Sequence, residues 1–235
     1  MKKKIFILLL SFGGLFTKAS ETKSSLNYYD IEIKASNTIN KKIIFEGTAI
    51  YPYFTNKELE PINKSIQKNV YDFLENAKTS QEYIEYYDME ASVPYTLDIS
   101  YTLTECKNDY ITLLCNYSTY TGGAHGMYSI TPITFDKEGK EVTIASLFTP
   151  IQKKYINNAI SYFIDKRLEF TEKFEFPSDK IIHNYEPNSD HNINTVASYI
   201  CDNQLKFIFQ PYDIGSYAEG TIKFNIELER IKNIK

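Results

Sequence analysis

Tyr95-Thr96-Leu97-Asp98-Ile99-Ser100-Tyr101-Thr102-Leu103-Thr104 decides the fold class, because apolar and polar residues alternate along its whole length. A period of two belongs to a strand with one buried and one wet face. A polar turn at Lys107-Asn108-Asp109 leads into a second run, Tyr110 to Tyr120. Centring the hairpin on Asn108 sets Leu103 opposite Leu113, Tyr101 opposite Cys115 and Ile99 opposite Tyr117. A slip of one residue would turn the second strand's apolar side to water, so this register is the one expected.

Upstream, Tyr29, Ile31 and Ile33 alternate with Asp30, Glu32 and Lys34, and Ile43, Phe45, Ala49 and Tyr51 alternate as far as Pro52. These two strands are expected to pair through the Asn37 to Lys42 turn. At Leu59 the period changes: Leu59, Ile62, Ile66, Val70, Phe73, Leu74 and Ala77 follow amphipathic helical spacing. Pro61 is tolerated only in the first turn of that helix. Ser80 to Ser92 reads as helix continuation or loop. Downstream, Met127 to Phe135 and Val142 to Ile144 read as strands around an Asp136 to Lys140 turn. Thr149-Pro150-Ile151-Gln152 is a helix start, with Thr149 as N-cap, Pro150 at the first helical position and Gln152 closing a capping box. That helix should end near Phe170 to Lys173. Glu175 to Asn194 reads as an irregular connection, Val196 to Cys201 and Leu205 to Gln210 as a hairpin on Asp202-Asn203, and Thr221 to Leu228 as a last strand. The expected fold is α+β, an antiparallel β-sheet packed with two main α-helices.

The first nineteen residues read as an export signal: Lys2, Lys3 and Lys4, the apolar run Ile5 to Phe16, and a small-x-small cleavage site ending at Ala19. The run is too short to span a bilayer, so no stable membrane insertion is expected after cleavage. Residues 20–235 then form one exported module, periplasmic or extracellular. Loss of Lys2, Lys3, Lys4 and Lys18 leaves 22 basic against 30 acidic residues, taking the net charge from −4 to −8. That balance speaks against nucleic acid and suits a cationic partner. Of the three cysteines, Cys106 and Cys115 fall roughly 17 Å apart on opposite faces of the hairpin, too far for a disulfide. Cys201 could reach either only by tertiary pairing, and idle thiols are the expectation.

Catalytic patterns are absent. Three histidines at 125, 183 and 191 make no metal-ligand spacing, there is no GxSxG or SxxK, and no cofactor is expected. The stretch Thr121-Gly122-Gly123-Ala124-His125-Gly126 interrupts the strands. Its structural explanation is a tight β connection, with positive φ at Gly122 and Gly123 and a bulge at Gly126. It lacks the following helix and lysine of a phosphate loop.

Two stretches together resemble a known family. Tyr120-Thr121-Gly122-Gly123-Ala124-His125-Gly126 and Phe209-Gln210-Pro211-Tyr212-Asp213-Ile214-Gly215-Ser216-Tyr217-Ala218-Glu219-Gly220 are similar to the two signature motifs of the domain of unknown function 3298 family, which is RsiV-like. Tyr51-Pro52-Tyr53-Phe54 and the helix Ile62 to Leu74 resemble its companion, the domain of unknown function 4163. On that division 28–105 is the companion-like part and 106–230 the signature part.

Such domains form the extracellular part of a lysozyme-sensing anti-sigma factor and the N-terminal module of PdaC-type peptidoglycan deacetylases. The resemblance implies an α+β fold, an envelope location and, from the sensor, contact with a lysozyme-type muramidase. With no sigma-binding segment before its apolar stretch and no deacetylase domain before Lys235, the chain is expected to be a stand-alone, non-enzymatic binding module. Its partner would be such a muramidase or a peptidoglycan fragment. The binding candidates are Tyr120, Thr121, Gly122, Gly123, His125, Gly126, Gln210, Tyr212, Asp213, Tyr217 and Glu219. One alternative is an envelope enzyme using His125 with Asp213 or Glu219; another is a structural module that dimerises through its sheet edge.

Overall fold

A computed structural model describes residues 26–39, 42–86, 94–104, 110–169, 174–186 and 190–234. The export signal, the Lys107 to Asp109 turn and Cys106 lie outside the described residues. The elements in order are β1 (Tyr28–Ile39), β2 (Lys42–Phe54), α1 (Glu60–Tyr86), β3 (Tyr95–Thr104), β4 (Ile111–Tyr120) and β5 (Met127–Phe135). They continue with α2 (Pro150–Lys166), α3 (Asp179–His183), β6 (Ala197–Cys201), β7 (Gln204–Phe209), β8 (Ile222–Glu227) and α4 (Leu228–Lys232). Strands β1 to β5 form one sheet in sequence order and β6 to β8 a second. The fold is α+β with two main helices, as expected.

The chain divides into two compact units. The first gathers the described residues up to Leu103 with Leu114–Ser129 and Glu138–Lys140; the second gathers Thr104–Leu113, Ile130–Lys137 and the chain from Glu141.

In the first unit, Ile62, Ile66 and Val70 make one fully buried stripe along α1, beside Phe45, Ala49, Tyr51 and Phe54 of β2 and Tyr95, Leu97, Ile99 and Tyr101 of β3. The sheet is mixed, not wholly antiparallel. β1 and β2 pair antiparallel from Tyr28 opposite Phe54, but β2 and β3 run parallel from Phe45 opposite Tyr95 to Ile50 opposite Ser100. The reason is the connection: only a crossover as long as α1 can return the chain to start a parallel neighbour. Asn63, in the first turn of α1, accepts from the Phe54 N–H at 2.8 Å and donates to the Phe54 carbonyl at 2.9 Å. Helix start and strand end are thereby tied together. Side-chain contacts between β3 and β4 fit the expected register. The Asn116 amide lies 3.4 Å from the Ser100 carbonyl, and Tyr101 lies against Cys115.

In the second unit, α2 lays Tyr155, Ile156, Ala159, Ile160 and Phe163 into a cluster with Leu205, Phe207, Phe209, Phe224 and Ile226. Phe224 is its hub. Its ring stacks on Phe163 at 4.6 Å, Phe207 at 5.7 Å and Phe176 at 6.0 Å, and meets Phe174 edge-on at 5.6 Å. The Thr149 and Gln152 capping box is present as expected, and Pro150 opens the helix. Helix α2 ends at Lys166, with a short 3-10 turn to Glu169. Asp202 and Asn203 both have positive φ, 52° and 60°, the conformation a two-residue hairpin turn requires.

Four further expectations need correction. Glu175 to Asn194 is not irregular throughout, because Asp179–His183 forms α3 and buries Ile182. Val142 to Ile144 is not a strand: only the bridge from Phe135 to Glu141 forms, and Ile144 opens a 3-10 turn. The chain from Leu228 is helical where strand was expected at its start, and α4 buries Ile231 completely. Cys201 is disulfide-bonded and not an idle thiol. Its pairing is tertiary and therefore invisible to spacing. Cys115 is free and buried, and burial pushes its thiol up. We expect a thiol-reactive dye to label one cysteine per chain in denaturant without reductant and all three after reduction. Three labels without reductant would contradict the disulfide.

Candidate functional site

The first motif is a self-contained turn of the first unit. Gly122 and Gly123 take φ of 99° and 98°, a region that side chains rarely adopt. A Cβ on Gly126 would sit 2.5 Å from the Thr119 carbonyl oxygen, so the strand can return only over a glycine. The Tyr120 hydroxyl donates to the Gly123 carbonyl at 2.9 Å, and His125 Nδ1 donates to the Gly126 carbonyl at 2.9 Å. Thr121 and His125 are exposed. The glycines are thus explained by backbone geometry.

The second motif belongs to the second unit. Gln210 follows β7, and its side-chain amide accepts from the Ile130 N–H at 2.9 Å and donates to the Ile130 carbonyl at 2.9 Å. A single side chain thus plays the part of a neighbouring strand for β5. Two residues on, Pro132 has no N–H to offer; two further, the Thr134 carbonyl accepts from Val142 N–H at 2.8 Å. From Ile130 to Thr134 the outer edge of β5 is therefore closed, a common defence against strand addition.

Beyond Gln210 the chain makes a four-residue turn, with Asp213 N–H donating to the Gln210 carbonyl at 3.0 Å and Asp213 Oδ2 accepting from Gln210 N–H at 2.7 Å. Pro211 suits the second position of such a turn; the third calls for glycine or asparagine. Tyr212 stands there with φ of 74°, its side chain exposed at 57%. Its ring lies 5.7 Å from that of Tyr217.

The rest of the loop is anchored from beneath. Arg167, where α2 ends, donates to Glu219 Oε2 at 2.9 Å and to the Ile214 carbonyl. Glu219 Oε1 accepts from Ser216 N–H at 2.7 Å. The Ser216 N–H and then the Arg167 guanidinium hold the Glu219 carboxyl below its ordinary range, so it stays ionised. Asp213 and Glu219 are thus both engaged in holding the loop, and Tyr212, backed by the half-buried Tyr217, is what the loop displays. Arg167 was missed from sequence, and no local pattern marks it: it reaches Glu219 across 52 positions.

Among the described residues no group of three or more His, Cys, Asp or Glu is placed to hold a metal ion. Nor is any described helix long and apolar enough to cross a membrane.

The PdaC family, described as Deacetylase PdaC, matches residues 22–128, and the protein of unknown function family DUF3298 matches residues 145–229. The two matches follow one another along the chain, a PdaC-like match and then a DUF3298 match, as in a protein carrying both domains. The Tyr120 to Gly126 motif falls inside the PdaC match and the Gln210 to Gly220 motif inside the DUF3298 match. Among solved structures, the chain is similar to a DUF3298 family member from Bacteroides fragilis, with a TM-score of 0.57 at 16% identity. Another similar structure is a DUF3298 family protein from Pseudomonas aeruginosa, with a TM-score of 0.58 at 12% identity. Each alignment covers 89% of this chain and 93% of the other. At such identities the likeness is one of fold. No curated protein matches the chain.

Proposed function

We propose that this protein is an exported, non-enzymatic binding module of the cell envelope. Its Tyr212 and Tyr217 loop recognises a cationic wall-degrading enzyme of the lysozyme type, and cell-wall glycan is the competing ligand that the test must separate. The observation that carries the reading is Tyr212. A non-glycine residue in the left-handed region costs about 1–2 kcal/mol, and such strain concentrates where a side chain is needed for something other than stability. An exposed tyrosine backed by a half-buried one on a braced loop offers contact area with little conformational entropy to lose. The acidic balance of residues 20–235 would favour encounter with a cationic enzyme.

Substitution Tyr212→Gly separates binding from folding. Stability should be unchanged or raised by up to about 1 kcal/mol, because glycine suits the position, while affinity falls by about 10-fold or more, as at an aromatic hot spot. The measurement is titration of lysozyme-type muramidases, and separately of soluble peptidoglycan fragments, into the wild-type and Y212G proteins. Wild-type protein that binds neither at low salt removes the reading. A variant that loses stability instead makes Tyr212 a structural residue.

A further inference from the structure

The outer edge of β1 is the open end of a sheet whose other end is closed from Ile130 to Thr134. Asn27, the residue before β1, has its carbonyl bonded by the Thr55 N–H at 3.0 Å, so residue 27 faces β2. With the pairing antiparallel and in step, direction alternates: 29, 31, 33 and 35 also face β2, and the backbone groups of 28, 30, 32, 34 and 36 face outward. The Asn63 clamp agrees. Phe54, opposite Tyr28, sends both its N–H and its carbonyl to Asn63 and neither to β1. Among the described residues nothing pairs with the outward groups of β1, which runs regularly from Tyr28 to the irregularity at Asn37.

Edge strands are commonly protected by charged side chains, lysine above all, or by proline, and charges that answer one another across a two-fold axis lose that protection against a second copy. Here the outward positions carry Asp30, Glu32, Lys34 and Ser36, and Lys34 already bonds Glu32 within the strand at 2.9 Å. The pattern is self-complementary. In an antiparallel pairing of two β1 strands with Ile33 on the two-fold axis, Glu32 of each copy falls opposite Lys34 of the other, and Asp30 opposite Ser36. Moving the register one step either way sets Glu32 against Glu32 or Lys34 against Lys34. On the other face Ile33 meets Ile33 and Ile31 meets Ala35, residues left half-buried in a single copy.

We propose that the occupant of this edge is a second copy of the chain, joined β1 to β1 in that register to make a ten-stranded sheet across the dimer.

The test is charge exchange. Sedimentation of the purified chain should show a dimer that dissociates on dilution. Glu32→Lys alone and Lys34→Glu alone should each weaken it by about 10-fold or more, because two opposed pairs per dimer become like-charged. Mixing the two variants should restore a dimer containing one of each, and the double variant E32K/K34E should dimerise with itself. Separately, Ile33→Cys should cross-link to its own copy under mild oxidation, since residues facing at a non-hydrogen-bonded position lie about 4.5 Å apart, within disulfide reach. The proposal is overturned if the wild-type chain stays monomeric as concentration rises, or if folded single variants, checked by circular dichroism, fail to recombine. A peptide strand bound at this edge with no self-association would likewise refute it.

Discussion

Phe224→Ala should cost about 3–5 kcal/mol, the range for removing a large aromatic from a packed core. Phe224 is 4% exposed, and four aromatic rings lean on it: Phe163, Phe174, Phe176 and Phe207. These neighbours come from α2, β7 and the segment before α3, so one truncation loosens three parts of the second unit at once. The relaxation that softens some core truncations is restricted, because Phe163 also stacks on Phe209 at 5.8 Å and meets Phe174 edge-on at 5.0 Å. Urea unfolding followed by far-ultraviolet circular dichroism should show the midpoint falling. Tyrosine emission is a second probe, since the chain has no tryptophan. A loss below about 1 kcal/mol would mean the cluster repacks around the gap.

The second large effect is expected at Asn63. Removing its amide by Asn63→Ala leaves the N–H and carbonyl of Phe54 unpaired beside a side chain only 1% exposed. Each buried orphan costs about 1–3 kcal/mol, so a total of about 2–6 kcal/mol follows for the two. Asn63→Asp is the informative companion. One carboxylate oxygen can still accept from the Phe54 N–H, but the other would face the Phe54 carbonyl. Burial and that repulsion raise the folded-state pKa of the new aspartate above its unfolded value, so the variant is least stable at neutral pH. Its deficit against wild type should shrink as pH falls through the raised pKa, because the protonated oxygen becomes a donor to the carbonyl. A deficit that is the same at pH 5 and pH 8 would show that Asn63 does not act through these bonds.

Where a period or a cap is written locally, the fold was legible in the sequence. The alternation from Tyr95 to Thr104 led to the hairpin register that Ser100 and Asn116 now share, and Thr149 to Gln152 marked the start of α2. What escaped is non-local or short. Nothing in the spacing of Phe45 and Tyr95 says that their strands run parallel. Helix α4 has five residues, too few for a helical period to stand out. The disulfide of Cys201 depends on tertiary approach.

At the candidate site the residue names were legible but not their division of labour. Asp213 and Glu219 look like ligand groups in a sequence, and both are engaged in bracing the loop. Gln210 acts on a strand 80 positions away. The strain at Tyr212 could not be foreseen, because the turn that imposes it calls for glycine.

The clamp of Gln210 on Ile130 also bears on stoichiometry. A sheet with two bare ends can add copy after copy and grow into a fibre, whereas a sheet terminated at one end can add once and then stops. Closing β5 from Ile130 to Thr134 with an amide side chain, a proline and one return bond leaves β1, among the described residues, as the long open edge of the five-stranded sheet. Association through it is finite and ends at two.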